Sequence, residues 1–453
     1  MDRQASELAR GHIIFLLVLV SMGSSIIYSP AYLKYVFYNQ LLEALQITDG
    51  QLGKVTAAYA LTATICYLPS GILADKIRVR ILGWVGFGGT ALLTYLYAMV
   101  PSIAASQGSE VAYGILYFIH IAMGVTTILI WWGIRFKLIR LISDGDEDYA
   151  KKIGFSYGVY GAAGLIMGVI NAAILNYLHH SVGLGVQVLL TFLATVILVL
   201  GLLTFLWVPR FTGEIGAGNA GFSLAVVGRA LSLPVVWIAA IGLFLVYFFY
   251  SNMYFITPYF TDIIGADQAT TDMVSVVRTY GVTLLSGPIF GILATKSKSP
   301  SKVIFAGSLI AAAVLTTINV VPSSPSIIMI VAGLQMLLAF IANGVFGICS
   351  SQLSEGRVPL SVFGTATGLL SVIGFFPDTI CPVWFGGIID AAKAKHAETG
   401  NIADLAAGYH TIFWYMAGAA VLAAVFAAAL FLYVRANQEK LDAAALAEAE
   451  AAS

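Results

Sequence analysis

The stretch GILADKIRVR occupies residues 71–80, and its first six letters return from residue 291 to residue 296, 220 positions later, as GILATK. Each copy ends a long apolar run and is followed by basic residues, in IRVR for the first copy and in SKSPSK for the second. A hexapeptide that returns in the same setting indicates that the chain contains two copies of one structural unit.

Composition indicates a membrane protein. Hydrophobic residues make up 59% and charged residues 10% of the 453 positions, and mean hydropathy is +0.90. Soluble domains have about 45–50% apolar and about 25% charged residues. The formal net charge is zero, so composition suggests neither a nucleic acid nor an acidic partner. The three cysteines all lie in apolar runs, which argues against disulfides and against a metal site.

Apolar runs long enough to cross a bilayer recur twelve times. They lie at 12–37, 51–72, 81–101, 111–133, 153–177, 184–208, 233–260, 273–294, 302–321, 326–349, 360–388 and 409–434. The first run has no small-residue cleavage site, so we expect it to stay as the first helix rather than to be removed as a signal peptide. The sequence therefore predicts an all-α membrane protein with twelve transmembrane helices.

The basic residues predict the orientation. Most of the 23 Lys and Arg residues fall in the segments that are cytoplasmic if the N-terminus is cytoplasmic. The opposite loops keep only Lys54, Lys393 and Lys395. Because Lys and Arg collect in cytoplasmic loops, both termini are expected in the cytoplasm, in a plasma (inner) membrane protein.

A Gly-rich hydrophilic stretch at 209–234 separates six helices from six. We predict an N-terminal six-helix bundle at 1–208, a cytoplasmic central loop at 209–232, a C-terminal six-helix bundle at 233–435 and a cytoplasmic tail at 436–453. Two parallel, pseudo-symmetric bundles are a known plan of transporters, with the substrate site at their interface.

The first copy of the repeat resembles the signature between the second and third helices of the major facilitator superfamily. The matching residues are Gly71, Leu73, Ala74, Asp75, Lys76 and Arg80, whereas Arg78 stands where the family usually has glycine. The resemblance implies that this loop latches an inner gate through Gly71, Asp75, Lys76 and Arg80, with Gly291 in the second copy. We expect Gly71 to permit a close helix approach and Asp75 to face the N-terminus of the eleventh helix. Thr295, at the position of Asp75, cannot supply that charge.

Three charged residues lie inside predicted helices: Lys34 in the first, Arg278 in the eighth and Asp378 in the eleventh. A charge in a membrane helix costs roughly 2.5–3.5 kcal/mol and usually faces a cavity or a partner. Two basic residues against one acid predict an anionic substrate. Two alternatives stay open: the cations could extend to the outer surface, and Asp378 could form a structural salt bridge with Arg278.

Two subfamily resemblances point the same way. YLKYVFYNQLLEAL, at 32–45, resembles the first helix of organophosphate:phosphate antiporters, with Lys34 at the position that binds the anionic group. Their second arginine, in the seventh helix, has no counterpart here. Arginine in the eighth helix is similar to oxalate:formate exchangers, although their partner in the eleventh helix is a lysine, where this chain has Asp378.

Tyrosines are dense in the first and seventh helices, and Tyr254 corresponds to Lys34 at the 220-residue offset. A tyrosine can line a cavity with an apolar face and a hydroxyl. Tyr254, Tyr250 and Tyr28 are therefore candidate substrate-binding residues, and belt packing at the membrane interface is the alternative.

These features predict a secondary active transporter that moves a small organic anion, a carboxylate or a phosphorylated metabolite, by alternating access. No Walker A, HExxH, GxSxG or Cys/His motif occurs, so no enzyme activity, catalytic residue, metal or cofactor is expected. The expected partners are the anion, protons or a counter-anion, and the lipid bilayer, with the protein a monomer. The alternatives are a proton symporter of a neutral or zwitterionic solute such as a sugar or nucleoside, a channel, or a non-transporting sensor.

Asp378 is the candidate for proton coupling. Pro377 and Pro382 flank it and predict a distorted eleventh helix. Asp378 could pair permanently with Arg278, or it could take up a proton when the substrate anion occupies Arg278. We favour proton uptake, because an acid in a bent helix beside a cavity is a common relay position.

Overall fold

The computed structural model describes residues 7–215, 224–322, 324–441 and 443. The described residues form α-helices with short 3₁₀ and π segments, and they contain no β-strand. Parts of the predicted central loop and tail, at 216–223, 442 and 444–453, lie outside the described residues.

The first half of the chain forms nine α-helices in its described part. They are α1 (Arg10–Ile26), α2 (Ser29–Tyr32), α3 (Tyr38–Leu45), α4 (Asp49–Lys76), α5 (Val79–Gln107), α6 (Ser109–Gly124), α7 (Gly133–Leu141), α8 (Gly145–Tyr177) and α9 (Val182–Trp207). A 3₁₀ segment, Leu33–Tyr35, follows α2, and a π-helical segment, Val125–Trp132, joins α6 to α7.

The second half adds eleven α-helices in its described part. They are α10 (Leu224–Leu231), α11 (Pro234–Ser251), α12 (Ile256–Asp262), α13 (Gln268–Val276), α14 (Val282–Ser297), α15 (Pro300–Val320), α16 (Ile328–Ile348), α17 (Ser351–Glu355), α18 (Leu360–Gly374), α19 (Pro377–Thr399) and α20 (Ile402–Ala436). The short segments between them are 3₁₀ turns at Met253–Phe255 and Pro325–Ile327 and a π-helical segment at Val277–Gly281.

Twelve membrane spans result. Eleven spans in the described residues are long and apolar enough to cross a bilayer, and the twelfth is α4, which bends by 56° between Asp49–Tyr67 and Pro69–Lys76. Proline removes a backbone donor and clashes with the preceding turn, which accounts for a bend at Pro69. The predicted all-α fold with twelve transmembrane helices is confirmed.

The chain divides into two compact units. The first unit is Met1–Asn219 together with Gln268–Gly281, and the second is Ala220–Asp267 together with Val282–Ser453. The eighth span is thus shared, because its first half packs on α8. A Cβ added at Gly164 would lie 2.5 Å from Cδ1 of Tyr280, so the absence of a side chain there admits the tyrosine ring. The predicted bundle boundaries at 208 and 233 stay a prediction.

Among the described spans, four are interrupted at a candidate functional residue. Lys34 and Tyr254 lie in the 3₁₀ turns of the first and seventh spans, and Arg278 lies in the π segment of the eighth. In the eleventh span α18 ends at Gly374 and α19 starts at Pro377, which places Asp378 in the first turn of α19. Interrupted membrane helices expose backbone groups that can hold ions and substrates. The fold therefore presents these four side chains at its irregular points.

Candidate functional site

Lys34 and Arg278 lie close together in the first unit. Their side chains are 3% and 2% exposed, so both cations are buried rather than extended to the surface. Arg278 donates a hydrogen bond from Nη2 to the carbonyl oxygen of Tyr35, at 2.7 Å, and Tyr35 is the residue after Lys34. Nζ of Lys34 lies 5.2 Å from the centroid of the Tyr35 ring, within the range of a cation–π interaction. The Tyr35 carbonyl, in the 3₁₀ turn of the first span, thus accepts a hydrogen bond from the Arg278 guanidinium of the eighth span.

A buried acid accompanies this pair. Asp272, in α13, is 3% exposed and accepts hydrogen bonds from Nε2 of Gln40 at 2.8 and 2.7 Å and from Nε2 of Gln268 at 2.9 Å. The sequence interpretation missed this group because the predicted apolar run started at residue 273. The span in the structure starts at Gln268, which brings Asp272 inside it.

Tyr28 lies between the first and fourth spans. Its hydroxyl donates to the carbonyl oxygen of Thr127 at 3.3 Å, and the Thr127 hydroxyl lies 3.0 Å from that of Tyr59. Thr127 belongs to the π segment Val125–Trp132, in which the helical hydrogen-bond register is shifted. Tyr28 is half-buried.

The predicted gating residues cluster at one end of the first unit. Asp75 and Lys76 are exposed, and Cζ of Arg80 lies 4.5 Å from the centroid of the Phe205 ring. A Cβ added at Gly71 would meet no atom of a described side chain or backbone within 4 Å, and the same holds for Gly291 in the second unit. The close helix approach expected at Gly71 stays a prediction.

The loop after the second span is fixed by other residues. Nζ of Lys137 donates to the carbonyl oxygen of Ala74, and Oε1 of Glu214 accepts from the backbone N–H of Val79 at the start of α5. Arg78 contributes an ion pair with Glu214 at 3.8 Å. Glu214 was missed because it is remote in sequence and lies in a Gly-rich stretch.

The second copy of the repeat is fixed by a different acid. Glu355, in α17, accepts from the backbone N–H of Ser301 at 2.9 Å and from its hydroxyl at 2.6 Å, at the start of α15. The hydroxyl of Ser299, the N-cap residue of α15, also donates to Glu355. A carboxylate at a helix N-terminus is stabilised by the free N–H groups and the helix dipole.

In the second unit, the hydroxyl of Tyr247 donates to Oδ2 of Asp378 at 2.7 Å. Asp378 is 9% exposed and lies in the first turn of α19. The Tyr250 ring stacks on Phe346 at 4.6 Å between centroids, and the Tyr247 ring lies 4.9 Å from that of Phe375. Tyr247 was missed as a partner of Asp378 because residues 131 positions apart give no local signal.

Tyr254 is 2% exposed and stacks on Phe255, with 4.4 Å between the ring centroids. The candidate residues therefore form two groups. Lys34, Arg278 and Tyr28 belong to the first unit, and Asp378, Tyr250 and Tyr254 belong to the second. Within the described residues no group of His, Cys, Asp and Glu is arranged to hold a metal ion.

The family model for the Major Facilitator Superfamily matches residues 13–382 of this sequence. The inner membrane protein YqcE of Escherichia coli (strain K12) is 26% identical over 386 residues, which cover 84% of this chain and 88% of the relative. The inner membrane protein YihN of the same organism is 23% identical over 432 residues, which cover 94% and 96%.

Solved transporters share the fold. A bacterial homologue of the human lysosomal transporter Spinster, inward-facing and unoccupied, has a TM-score of 0.71 at 16% identity, covering 94% of this chain and 99% of that one. The nucleoside transporter NupG has a TM-score of 0.69 at 13% identity, covering 92% and 100%. The D-xylose-proton symporter has a TM-score of 0.67 at 14% identity, covering 91% of this chain and 97% of that one. At these identities the likeness concerns the fold alone.

Proposed function

This chain belongs to the Major Facilitator Superfamily, and from that premise we propose that it carries a small organic anion across the membrane by alternating access. Its family makes it an integral membrane transporter rather than an enzyme, and its relatives are inner membrane proteins. The anion we propose is a carboxylate or a phosphorylated metabolite. Protons or a counter-anion supply the coupling.

The observation that carries this proposal is the pair of buried cations at the helix breaks of the first unit. Among the described spans of that unit the buried charged side chains are Lys34, Arg135 and Arg278 against Asp49 and Asp272. Asp49 stands at the start of α4 and accepts from the Tyr38 hydroxyl at 2.8 Å. A buried excess of cations is costly in a membrane span unless an anion binds beside it. This balance supports an anionic substrate.

The two cations suit different parts of an anion. Arg278 presents a planar fork that can bind two oxygens of a carboxylate or phosphate, and its contact with the Tyr35 carbonyl fixes the orientation of that fork. Lys34 supplies a compact charge on a flexible chain. Tyr28, of the same unit, offers a hydroxyl and a ring face to the remainder of the anion, and Tyr250 and Tyr254 stay candidate substrate-binding residues of the second unit.

We assign coupling to Asp378. Its carboxylate accepts a hydrogen bond from the Tyr247 hydroxyl and lies at the start of α19, directly after the break that follows Gly374. A change in the surroundings of Asp378 during the transport cycle would then favour proton uptake. Under this proposal Asp75, Lys76 and Arg80, with Gly71 and Gly291, form the gate at the predicted cytoplasmic end.

Counterflow in proteoliposomes tests the proposal. Reconstituted protein preloaded with unlabelled solute should exchange succinate or glycerol 3-phosphate and should not exchange xylose or uridine. Arg278→Gln and Lys34→Gln should each lower anion exchange by about tenfold or more, the expected loss for one charge-assisted hydrogen bond. Lys54→Gln is the matched control, since Lys54 is an exposed cation of the same unit. Exchange confined to xylose or uridine would contradict the anion proposal.

A second candidate is proton symport of a neutral or zwitterionic solute. The observation that favours it is the aromatic group around Asp378, formed by Tyr247, Tyr250, Phe346 and Phe375. Ring faces beside a carboxylate suit a sugar or a nucleoside. The same counterflow panel distinguishes this candidate from the first.

A further inference from the structure

A second buried arginine of the first unit has no assigned role. Arg135, in α7, is 5% exposed, and its Nη2 donates to the Ser156 hydroxyl at 3.3 Å. Its Nε is buried without a hydrogen-bond partner, and Arg135 forms no ion pair with any residue that the structure describes. A guanidinium carries five N–H donors and stays charged. Most of the donor capacity of Arg135 is therefore unused by the part of the chain described.

Aromatic rings form the walls around this guanidinium. Its Cζ lies 4.5 Å from the ring centroid of Tyr157, 5.4 Å from that of Tyr160 and 5.5 Å from that of Phe136. Ring faces stabilise the cation without accepting its directional hydrogen bonds. Tyr157 is 55% exposed, so one wall around Arg135 lies at the surface of the protein.

Arg135 lies well away from Lys34 along the first span. The Ser156 hydroxyl, which Arg135 contacts, accepts from the Ser21 hydroxyl at 2.8 Å. Ser21 precedes Lys34 by thirteen residues, which corresponds to about 20 Å at the α-helical rise per residue. Tyr160 lies between the two regions: its ring centroid is 5.4 Å from Cζ of Arg135, and it precedes by one helical turn Gly164, beside which the Tyr280 ring packs, two residues after Arg278.

We propose that Arg135, with Ser156, Tyr157 and Tyr160, forms a second anion-binding site for a carboxylate or phosphate group. The guanidinium fork binds two oxygens of the anion, and the neighbouring hydroxyls donate to the others. The role of this site rests on the proposed function: it binds the transported anion between the predicted cytoplasmic end and the Lys34–Arg278 pair. A free inorganic anion from the cytoplasm has the same chemistry and would occupy the same groups.

Thermal unfolding of the purified, full-length protein tests the site, because an anion that binds the folded state raises the unfolding temperature, and the rise grows with the ratio of its concentration to its dissociation constant. The probes are acetate, succinate and inorganic phosphate. The starting variant combines Lys34→Gln with Arg278→Gln, which removes the first pair and leaves Arg135. With at least one probe, the unfolding temperature of this variant should rise as the probe concentration rises. Adding Arg135→Lys should raise about tenfold the probe concentration needed for a given rise, and adding Arg135→Gln should abolish the response.

Arg135→Lys keeps a positive charge in the protein and therefore reports on the fork even where Arg135→Gln does not fold. Adding Lys54→Gln to the starting variant should leave its response unchanged. A starting variant that responds to no probe, or a response that Arg135→Lys leaves unaltered, would overturn the second site. A response to phosphate alone identifies an inorganic anion as the occupant, and a response to the carboxylates identifies the substrate class; either supports the site.

Counterflow separates this inference from the proposed function. A protein that exchanges only neutral solutes yet keeps the Arg135-dependent response loses the proposed function and keeps the second site. A protein that exchanges anions without an Arg135-dependent response keeps the proposed function and loses the second site.

Discussion

Glu214 accepts a hydrogen bond from the backbone N–H of Val79, with 2.5 Å between Oε1 and the nitrogen. Its other oxygen lies 3.3 Å from the backbone nitrogen of Phe211. Glu214 is 3% exposed, so it satisfies the first turn of α5 away from water. The start of the central loop is thereby attached to the loop that carries the repeated hexapeptide.

Replacing Glu214 tests this attachment. Glu214→Ala leaves buried N–H groups without an acceptor and should lower the free energy of unfolding by about 1–3 kcal/mol. Glu214→Gln keeps an acceptor oxygen and should cost less. Thermal unfolding in detergent measures both, with Glu43→Ala as the control because Glu43 is exposed. Equal unfolding temperatures for Glu214→Ala and the control would show that the contact is not stabilising.

The glycines of α8 should differ in their tolerance of a side chain. A Cβ at Gly164 would lie 2.5 Å from the Tyr280 ring, whereas a Cβ at Gly158 would meet nothing within 4 Å. Gly164→Ala should therefore destabilise the protein by about 1–3 kcal/mol through overpacking. Gly158→Ala should be neutral or stabilise it by up to about 1 kcal/mol through helix propensity. The unfolding temperatures of the two variants test this difference. A higher unfolding temperature for Gly164→Ala than for Gly158→Ala would contradict the packing of Tyr280 on α8.

Proton coupling at Asp378 predicts a pH effect of known sign. Tyr247→Phe removes a donor to the carboxylate and makes protonation of Asp378 easier. If Asp378 carries the coupled proton, the pH of half-maximal uptake should rise by about one unit, since a hydrogen bond to a charged group is worth about 1.5–3 kcal/mol. Tyr415→Phe is the control, because the Tyr415 hydroxyl has no hydrogen bond to a described residue.

Asp378→Asn provides the complementary variant. It should abolish accumulation driven by an imposed pH gradient and leave substrate exchange intact. Continued accumulation in this variant would assign Asp378 a structural role and favour anion exchange.

The predicted orientation can be tested by thiol labelling. Arg210→Cys and Lys395→Cys place thiols at exposed positions, and the three native cysteines are buried. In intact cells an impermeant maleimide should label Lys395→Cys, and it should label Arg210→Cys only after permeabilisation. Labelling of Arg210→Cys in intact cells would reverse the orientation.

Hydropathy predicted the twelve spans because each requires only a long apolar run, and Pro377 indicated the break in the eleventh. The π segments Val125–Trp132 and Val277–Gly281 gave no such signal. They contain no proline, and the register of a π turn depends on tertiary contacts such as the Tyr59–Thr127 hydrogen bond.

The candidate site was harder to predict than the spans, because a charged residue just outside a predicted apolar run was not counted as lying in the membrane. Asp272 lay one residue outside its predicted run. Arg135 was placed in a cytoplasmic loop, although α7 continues to Leu141 and buries it. The Tyr35 carbonyl that binds Arg278 is a backbone group, which side-chain identity does not reveal.

Arg135 and Glu355 occupy the same position in the two copies of the repeat, 220 residues apart like the hexapeptides. In the second copy this position carries the acid at the start of α15, whereas in the first copy Glu214, from another segment, does so for α5. The free N–H groups at the start of a helix require an acceptor oxygen, and a carboxylate from any nearby segment can supply it. Because Glu214 supplies that oxygen in the first copy, position 135 is not needed as an acceptor there and carries a cation. The two halves therefore differ in charge at the same position of the repeat, while both helix starts keep a carboxylate.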